Sequence, residues 1–230
     1  MIILAIDTSG PVCGVAVWAD GRIRYEAAAI NKLTHSESLM PMLDEALTRA
    51  GVDKKDVTHL AVTVGPGSFT GVRIGVTAVK ALSHALNIPC VAVSALEATA
   101  EALQLTDKIV CPIQDARVMQ VYGAAFQGGK RLLDDCVMKL DEFIAAISPL
   151  EGDFLFTGDG VITYQAKIES ALGDRAHFAP AHCAYLRPAA VACVAAAHAQ
   201  EAVDYLTLQP MYLRAPQAER ERAKKEAQHG

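Results

Sequence analysis

Residues 1–30 read MIILAIDTSGPVCGVAVWADGRIRYEAAAI, and the succession of apolar runs and turns in this stretch decides the fold. Ile2 to Ile6 is a short apolar run that ends in the polar turn Asp7-Thr8-Ser9-Gly10, and Val12 to Ala19 follows as a second run. Asp20-Gly21 then closes a two-residue turn into Arg22 to Ile30. Asp-Gly between two such runs is a strong hairpin signal, because both central residues of that turn need positive φ. Three consecutive strands therefore open the chain, with Asp7 at the tip of the first.

Downstream the period changes. Thr34 to Glu37 fits a capping box, and Leu39, Leu43, Ala46, Leu47 and Ala50 recur at helical spacing until Gly51 stops them, which predicts a helix over Ser36 to Ala50. A strand at Leu60 to Val64, the loop GPGSFTG at Gly65 to Gly71 and an Ala-rich helix to about Leu86 come next. Cys90 to Val93 reads as a strand, and Ser94 with Glu97 opens a further helix to about Leu103. Three antiparallel strands extended by parallel crossovers make the mixed α/β sheet of a ribonuclease H-like unit.

The second half begins the same way. Ile109 to Gln114, Met119 to Phe126, a Gly128-Gly129 turn, Arg131 to Met138 and a helix around Asp141 to Ile147 repeat the opening order. Phe154 to Thr157 is a strand, and helices are expected at Val161 to Leu172 and Pro188 to Asp204. The expectation is a duplicated fold with its second lobe shortened: residues 1–105, residues 106–214, and a charged tail at 215–230.

Composition narrows the chemistry. Among 230 residues, 21 Lys and Arg face 26 Asp and Glu, a net charge of −5 that argues against gripping nucleic acid alone. Hydrophobic residues make up 52%, but 40 of them are Ala, which predicts close helix packing. No run reaches the roughly 20 apolar residues of a membrane span. MIILAID lacks a positive leader region and is cut by Asp7, so it reads as a strand rather than a signal peptide. The six Cys show no C-x-x-C pair, as buried thiols of a cytoplasmic protein would.

GPGSFTG lies between a strand and a helix, where backbone N–H groups can face an anion and glycine permits close approach. It is not a Walker A loop, since Val72 stands where Lys would follow, and a tight packing turn is the competing reading. Asp7-Thr8-Ser9 could set a carboxylate near a magnesium-bound phosphate. The seven His offer neither H-E-x-x-H nor H-x-x-x-H, so no metal site is expected. His35 and Ser36 diverge on a helix start, and Ser36 lacks the strained elbow of a hydrolase nucleophile.

Taken together, seven stretches resemble the bacterial TsaB (YeaZ) family of tRNA threonylcarbamoyladenosine biosynthesis: ILAIDTS (Ile3 to Ser9), HSESLMPMLDEAL (His35 to Leu47), GPGSFTGVRIG (Gly65 to Gly75), AVKAL (Ala78 to Leu82), VSALEA (Val93 to Ala98), DARVMQVYGA (Asp115 to Ala124) and PMYLR (Pro210 to Arg214). GPGSFTG followed by Arg73 and Gly75 is the most specific of these. The resemblance implies an actin-like ATPase superfamily fold and a non-catalytic, cytoplasmic subunit that pairs with the transferase TsaD, with TsaE joining the pair. It implies tRNA contact only through the complex, no membrane, no cofactor, no catalytic residue, and a homodimer when the chain is alone.

An actin-like site needs two phosphate hairpins, the second usually Asp-x-Gly, but here Asp115-Ala116-Arg117 puts a side chain where the glycine should be. The loops of a degenerate nucleotide site are thus Asp7, Thr8, Ser9, Gly65, Gly67, Ser68, Asp115, Arg117, Gly158 and Gly160, the last two in a remnant of the adenosine turn. The family's partner face is carried over to His35, Leu39, Met42, Leu43, Arg73, Val76, Thr77 and Lys80. A charge at Leu39 or Val76 is accordingly expected to weaken the partnership and leave the monomer folded. An independent ATPase or small kinase is the alternative, motivated by Asp7-Thr8-Ser9 and the Gly158-Asp159-Gly160 turn. The peptidase label sometimes attached to relatives of TsaD finds no nucleophile, base or metal here.

Overall fold

Two tight turns set the framework. Asp20 and Gly21 take φ of 50° and 84°, and Gly128 and Gly129 take 54° and 78°, the left-handed pairs that a two-residue hairpin requires. In the computed structural model, which describes residues 1–30 and 34–214, these turns join β2 (Cys13–Ala19) to β3 (Arg22–Ala29) and β7 (Gln120–Gln127) to β8 (Lys130–Lys139). With β1 (Ile2–Asp7), β4 (His59–Gly65) and β5 (Cys90–Ser94) the first set makes a sheet of order β3-β2-β1-β4-β5. The second set, with β6 (Ile109–Asp115), β9 (Phe154–Thr157) and β10 (Ala176–Phe178), makes a sheet of order β10-β9-β6-β7-β8. Read from the hairpin end, both sheets have one topology, with the central strand antiparallel to its hairpin neighbour and parallel to the next strand.

The helices follow the predicted caps. Glu37 accepts from the Thr34 N–H at 2.8 Å, fixing the start of α1 (His35–Ala50), and Gly51 ends it at φ 65°. α2 (Phe69–Leu86) starts at Ser68, whose Oγ accepts from the Gly71 N–H at 3.2 Å, and stops at left-handed Asn87. α3 (Ala95–Glu101), α4 (Leu140–Ile147), α5 (Asp159–Leu172) and α6 (Pro188–Ala197) complete the set. None of the helices among the described residues is long and apolar enough to cross a membrane.

The predicted division into lobes needs three corrections. The second sheet is as wide as the first, because Ala176–Phe178 adds a short strand that the sequence reading missed, so the shortening falls on the helices. The last helix ends at Ala197 rather than Asp204, and a 3-10 turn follows. That helix also returns to the first lobe: Val191, Ala192, Val194 and Ala195 pack with Ile3, Ala5, Ala16, Val91 and Val93 of the first sheet. Val203 then pairs with Cys90, and Leu208 enters the first core. The second lobe therefore ends before Pro188, not at 214. α6 is apolar on every side, so its sequence marks it as buried without saying under which sheet. The charged tail at 215–230 lies outside the described residues.

Cys13, Cys90 and Cys111 are buried. Burial pushes their thiols up, that of Cys13 to about 11.

Candidate functional site

The strand tips of the two lobes face each other across a cleft of about 590 Å³. Ser9, Gly67, Ser68 and Phe69 line its first-lobe side, and Gln114, Asp115, Arg117 and Asp159 line its second-lobe side.

On the first-lobe side, the two loops expected to hold phosphates hold each other. The Ser68 N–H donates to the Ser9 carbonyl at 2.7 Å, and the Thr8 hydroxyl donates to the Gly71 carbonyl at 2.7 Å. A Cβ at Gly67 would stand 2.3 Å from the Ser9 oxygen, and one at Gly71 would stand 2.0 Å from the Thr8 oxygen. A Cβ at Gly65 would meet the Met211 carbonyl at 2.6 Å. Glycine at positions 65, 67 and 71 thus permits backbone-to-backbone contact that any Cβ would block.

Asp7 is 1% exposed. Its Oδ1 accepts from the Ser9 N–H (2.9 Å), the Ser9 hydroxyl (2.7 Å) and the Thr63 hydroxyl (2.6 Å), whereas its Oδ2 is buried with no partner among the described residues. Burial raises its carboxyl above the ordinary carboxylate range, against the pull of the Thr63 and Ser9 hydrogen bonds. A buried acid fixed to its own turn is poorly placed to meet a hydrated cation in the cleft.

The second-lobe hairpin tip keeps the backbone geometry of a glycine turn with other side chains. Arg117, Val118 and Met119 take φ of 67°, 53° and 60°, a left-handed run that is costly for a β-branched residue such as Val118. The Arg117 N–H donates to Asp115 Oδ1 at 2.8 Å, the Tyr164 hydroxyl donates to the same oxygen at 3.0 Å, and the Asp115 N–H donates to Asp159 at 3.2 Å. Burial raises the Asp159 carboxyl, and the Asp115 charge adds to this. Gly158 and Gly160 press on the Ile113 carbonyl, where added Cβ atoms would sit at 2.2 and 3.0 Å. The turn marked as an adenosine remnant therefore packs onto the end of β6.

The chain belongs to the TsaB family. A Bacillus subtilis tRNA threonylcarbamoyladenosine biosynthesis protein TsaB is 34% identical over 223 residues, which cover 95% of this chain and 96% of that one. The family model of TsaD, tRNA N6-adenosine threonylcarbamoyltransferase, also matches residues 29–222. Among solved structures, a Pseudomonas aeruginosa protein described as similar to the peptidase YeaZ superposes with a TM-score of 0.77 at 29% identity, covering 93% of this chain and 99% of that one. Component A of the Acidaminococcus fermentans (R)-2-hydroxyglutaryl-CoA dehydratase, at 13% identity and a TM-score of 0.53, covers 87% of this chain and 99% of that one and shares the fold alone.

With the TsaB family fixed, the eight residues carried over as its partner face separate into groups. Leu39, Leu43 and Val76 are 2%, 4% and 3% exposed and lie in the first core, so they are not surface residues. Their helical spacing marks the side that packs into that core. Met42 is half-buried against the same core. His35 Nε2 lies 2.9 Å from the Gly10 carbonyl and so ties α1 to the Asp7 turn. Lys80 donates to the Leu208 carbonyl at 3.1 Å, and Arg73 donates to the Tyr212 hydroxyl at 2.8 Å while lying 3.8 Å over the Phe69 ring. Thr77 is exposed, as are Thr70 and Ala81 on α2 and Met40 on α1.

The role of the segment Leu208 to Arg214 escaped sequence reasoning. PMYLR carries no periodicity and was recognisable only as a match to relatives, yet Met211, Tyr212, Leu213 and Arg214 all line the cleft.

Proposed function

We propose that this chain is a non-catalytic, cytoplasmic accessory subunit that supports TsaD in forming N6-threonylcarbamoyladenosine beside the anticodon of tRNAs. Its membership of the TsaB family supports the pathway. The observation that carries the accessory role is the packing of GPGSFTG on Asp7-Thr8-Ser9. Groups that would cradle phosphate in an actin-like ATPase are engaged with one another, and Arg117 occupies the second hairpin. The ATPase alternative draws no support from such a cleft. The peptidase description attached to a structural relative finds no activated nucleophile in it.

The partner face is redrawn from buried to exposed positions. Met40 on α1 and Thr70, Thr77 and Ala81 on α2 form the surface that meets TsaD, with Arg73 at its edge. Small side chains on α2 allow a partner helix to approach closely, and exposed Met40 suits an adaptable contact. A stable complex needs about 1,600 Å² of buried surface, which two helices roughly 25 Å long can supply. The same face supports self-association when TsaD is absent. TsaE joins through the TsaD pair, and tRNA is met through the complex. Reconstitution tests the reading: tRNA modification by TsaD, TsaE and the synthase is measured with and without this chain. Full modification in its absence would end the proposal.

A further inference from the structure

The two lobes are held together in two chemically different ways. On the α3 side the contact is apolar: Leu96 and Ala100 of the first lobe are fully buried with Val110, Ala124 and Phe126 of the second. Arg131 backs it by pairing with Glu97 of α3 at 3.0 Å. At the cleft, by contrast, the segment of residues 208–214 reaches from one lobe to the other. Its root is pinned to the first lobe, where the Met211 N–H donates to the Val64 carbonyl at 2.7 Å and Lys80 holds the Leu208 carbonyl. Tyr212 packs on Phe69 with ring centroids 5.1 Å apart and takes the Arg73 hydrogen bond. Its far end is Arg214, whose guanidinium donates to the Ala116 carbonyl at 2.9 Å and to the Gln120 side chain. Both acceptors flank the left-handed tip Arg117 to Met119.

We propose that residues 208–214 are an interlobe latch: α3 is the hinge, and the bonds of Arg214 to the second-lobe hairpin hold the cleft at its present width. A desolvated apolar contact resists separation, whereas two hydrogen bonds to neutral acceptors at a cleft mouth exchange readily with water, so opening begins at Arg214. Glycine at position 65 fits the latch, since it lets the Met211 carbonyl lie against the strand end. The strained tip fits it too, because a left-handed run without glycine persists only where its surroundings hold it. Arg73 and Lys80 of α2 hold the root, so a protein docked on α2 would touch the latch. The proposal itself does not depend on such docking.

The test uses the full chain with spin labels on unnatural side chains at exposed Lys54 and Ile162, one on each lobe. In Arg214→Ala and in Tyr212→Ala the label distance should shift several Å longer and its distribution broaden, with Arg214→Lys in between. Hydrogen exchange should quicken on the order of tenfold at residues 116–120, while α3 and the centres of β6 and β7 keep their rates. Retained protection there shows that a variant is folded. A folded variant of either residue with the wild-type distance overturns the latch. So does exchange that quickens only at residues 212–214, which would be fraying of the segment end.

Discussion

Replacing Gly71 by Ala tests whether the GPGSFTG loop is a packing device or a ligand cradle. The new Cβ would lie 2.0 Å from the Thr8 carbonyl oxygen, and such contacts need at least 3.0 Å, so α2 must retreat from the Asp7 turn by at least an ångström. That movement breaks the Thr8 hydroxyl bond to the Gly71 carbonyl and the Ser68 bond to Ser9. Each loss costs about 1 kcal/mol, and overpacking adds about 1–3 kcal/mol. The better helix propensity of Ala returns about 1 kcal/mol. A net destabilisation of about 2–4 kcal/mol follows, roughly 5–15 °C in melting temperature for a chain of this size. Thermal unfolding followed by circular dichroism measures it, with Gly10→Ala as the control, since a Cβ there meets nothing within 4 Å. If Gly71→Ala melts within a few degrees of Gly10→Ala, the loop is not held by that contact and the packing account of the cleft is wrong.

Other outcomes follow from the same geometry. Leu39→Asp should unfold the chain, by more than about 4 kcal/mol in urea titration, because it buries a charge where a leucine packed. Thr77→Arg should leave the urea midpoint unchanged and lower co-elution with TsaD, and unaltered co-elution would place the interface elsewhere. Arg117→Gly should stabilise by about 1 kcal/mol through relief of its left-handed φ, yet bind Mg-ATP no tighter than about 100 μM by calorimetry. The folded chain favours protonated Asp7, so the benefit of burying it is complete below the ordinary carboxylate range and is lost as pH rises through the elevated folded value. Asp7→Asn, which keeps the acceptor of three hydrogen bonds, should therefore gain on wild type as pH rises above the ordinary carboxylate range. A pH-independent difference in midpoint would contradict the burden assigned to Asp7.

Local signals carried the fold a long way. The Asp20-Gly21 and Gly128-Gly129 turns, the Thr34 to Glu37 box and Gly51 each act over a few residues, so the chain states them directly. Repetition of their order revealed the duplication. The short strand Ala176–Phe178 offered too few residues for alternation to show. At the site, the sequence placed Asp7, Gly67 and Arg117 in loops that do face one cleft, because strand tips in this topology gather at one edge.

What the sequence by itself determined was therefore all but one of the strands, the caps and the doubled order, written in spacing along the chain, together with the family, carried by the motifs it resembles. Tertiary structure alone decided three matters. It put α6 under the first sheet, turned Leu39, Leu43 and Val76 inward, and drew Arg73, Lys80 and Arg214 onto a segment spanning both lobes. A helical repeat gives the spacing of an apolar stripe but not what lies against it, and a contact between Arg214 and Ala116 joins residues 98 positions apart. Such pairings are fixed by the packing of whole elements, which no local pattern encodes.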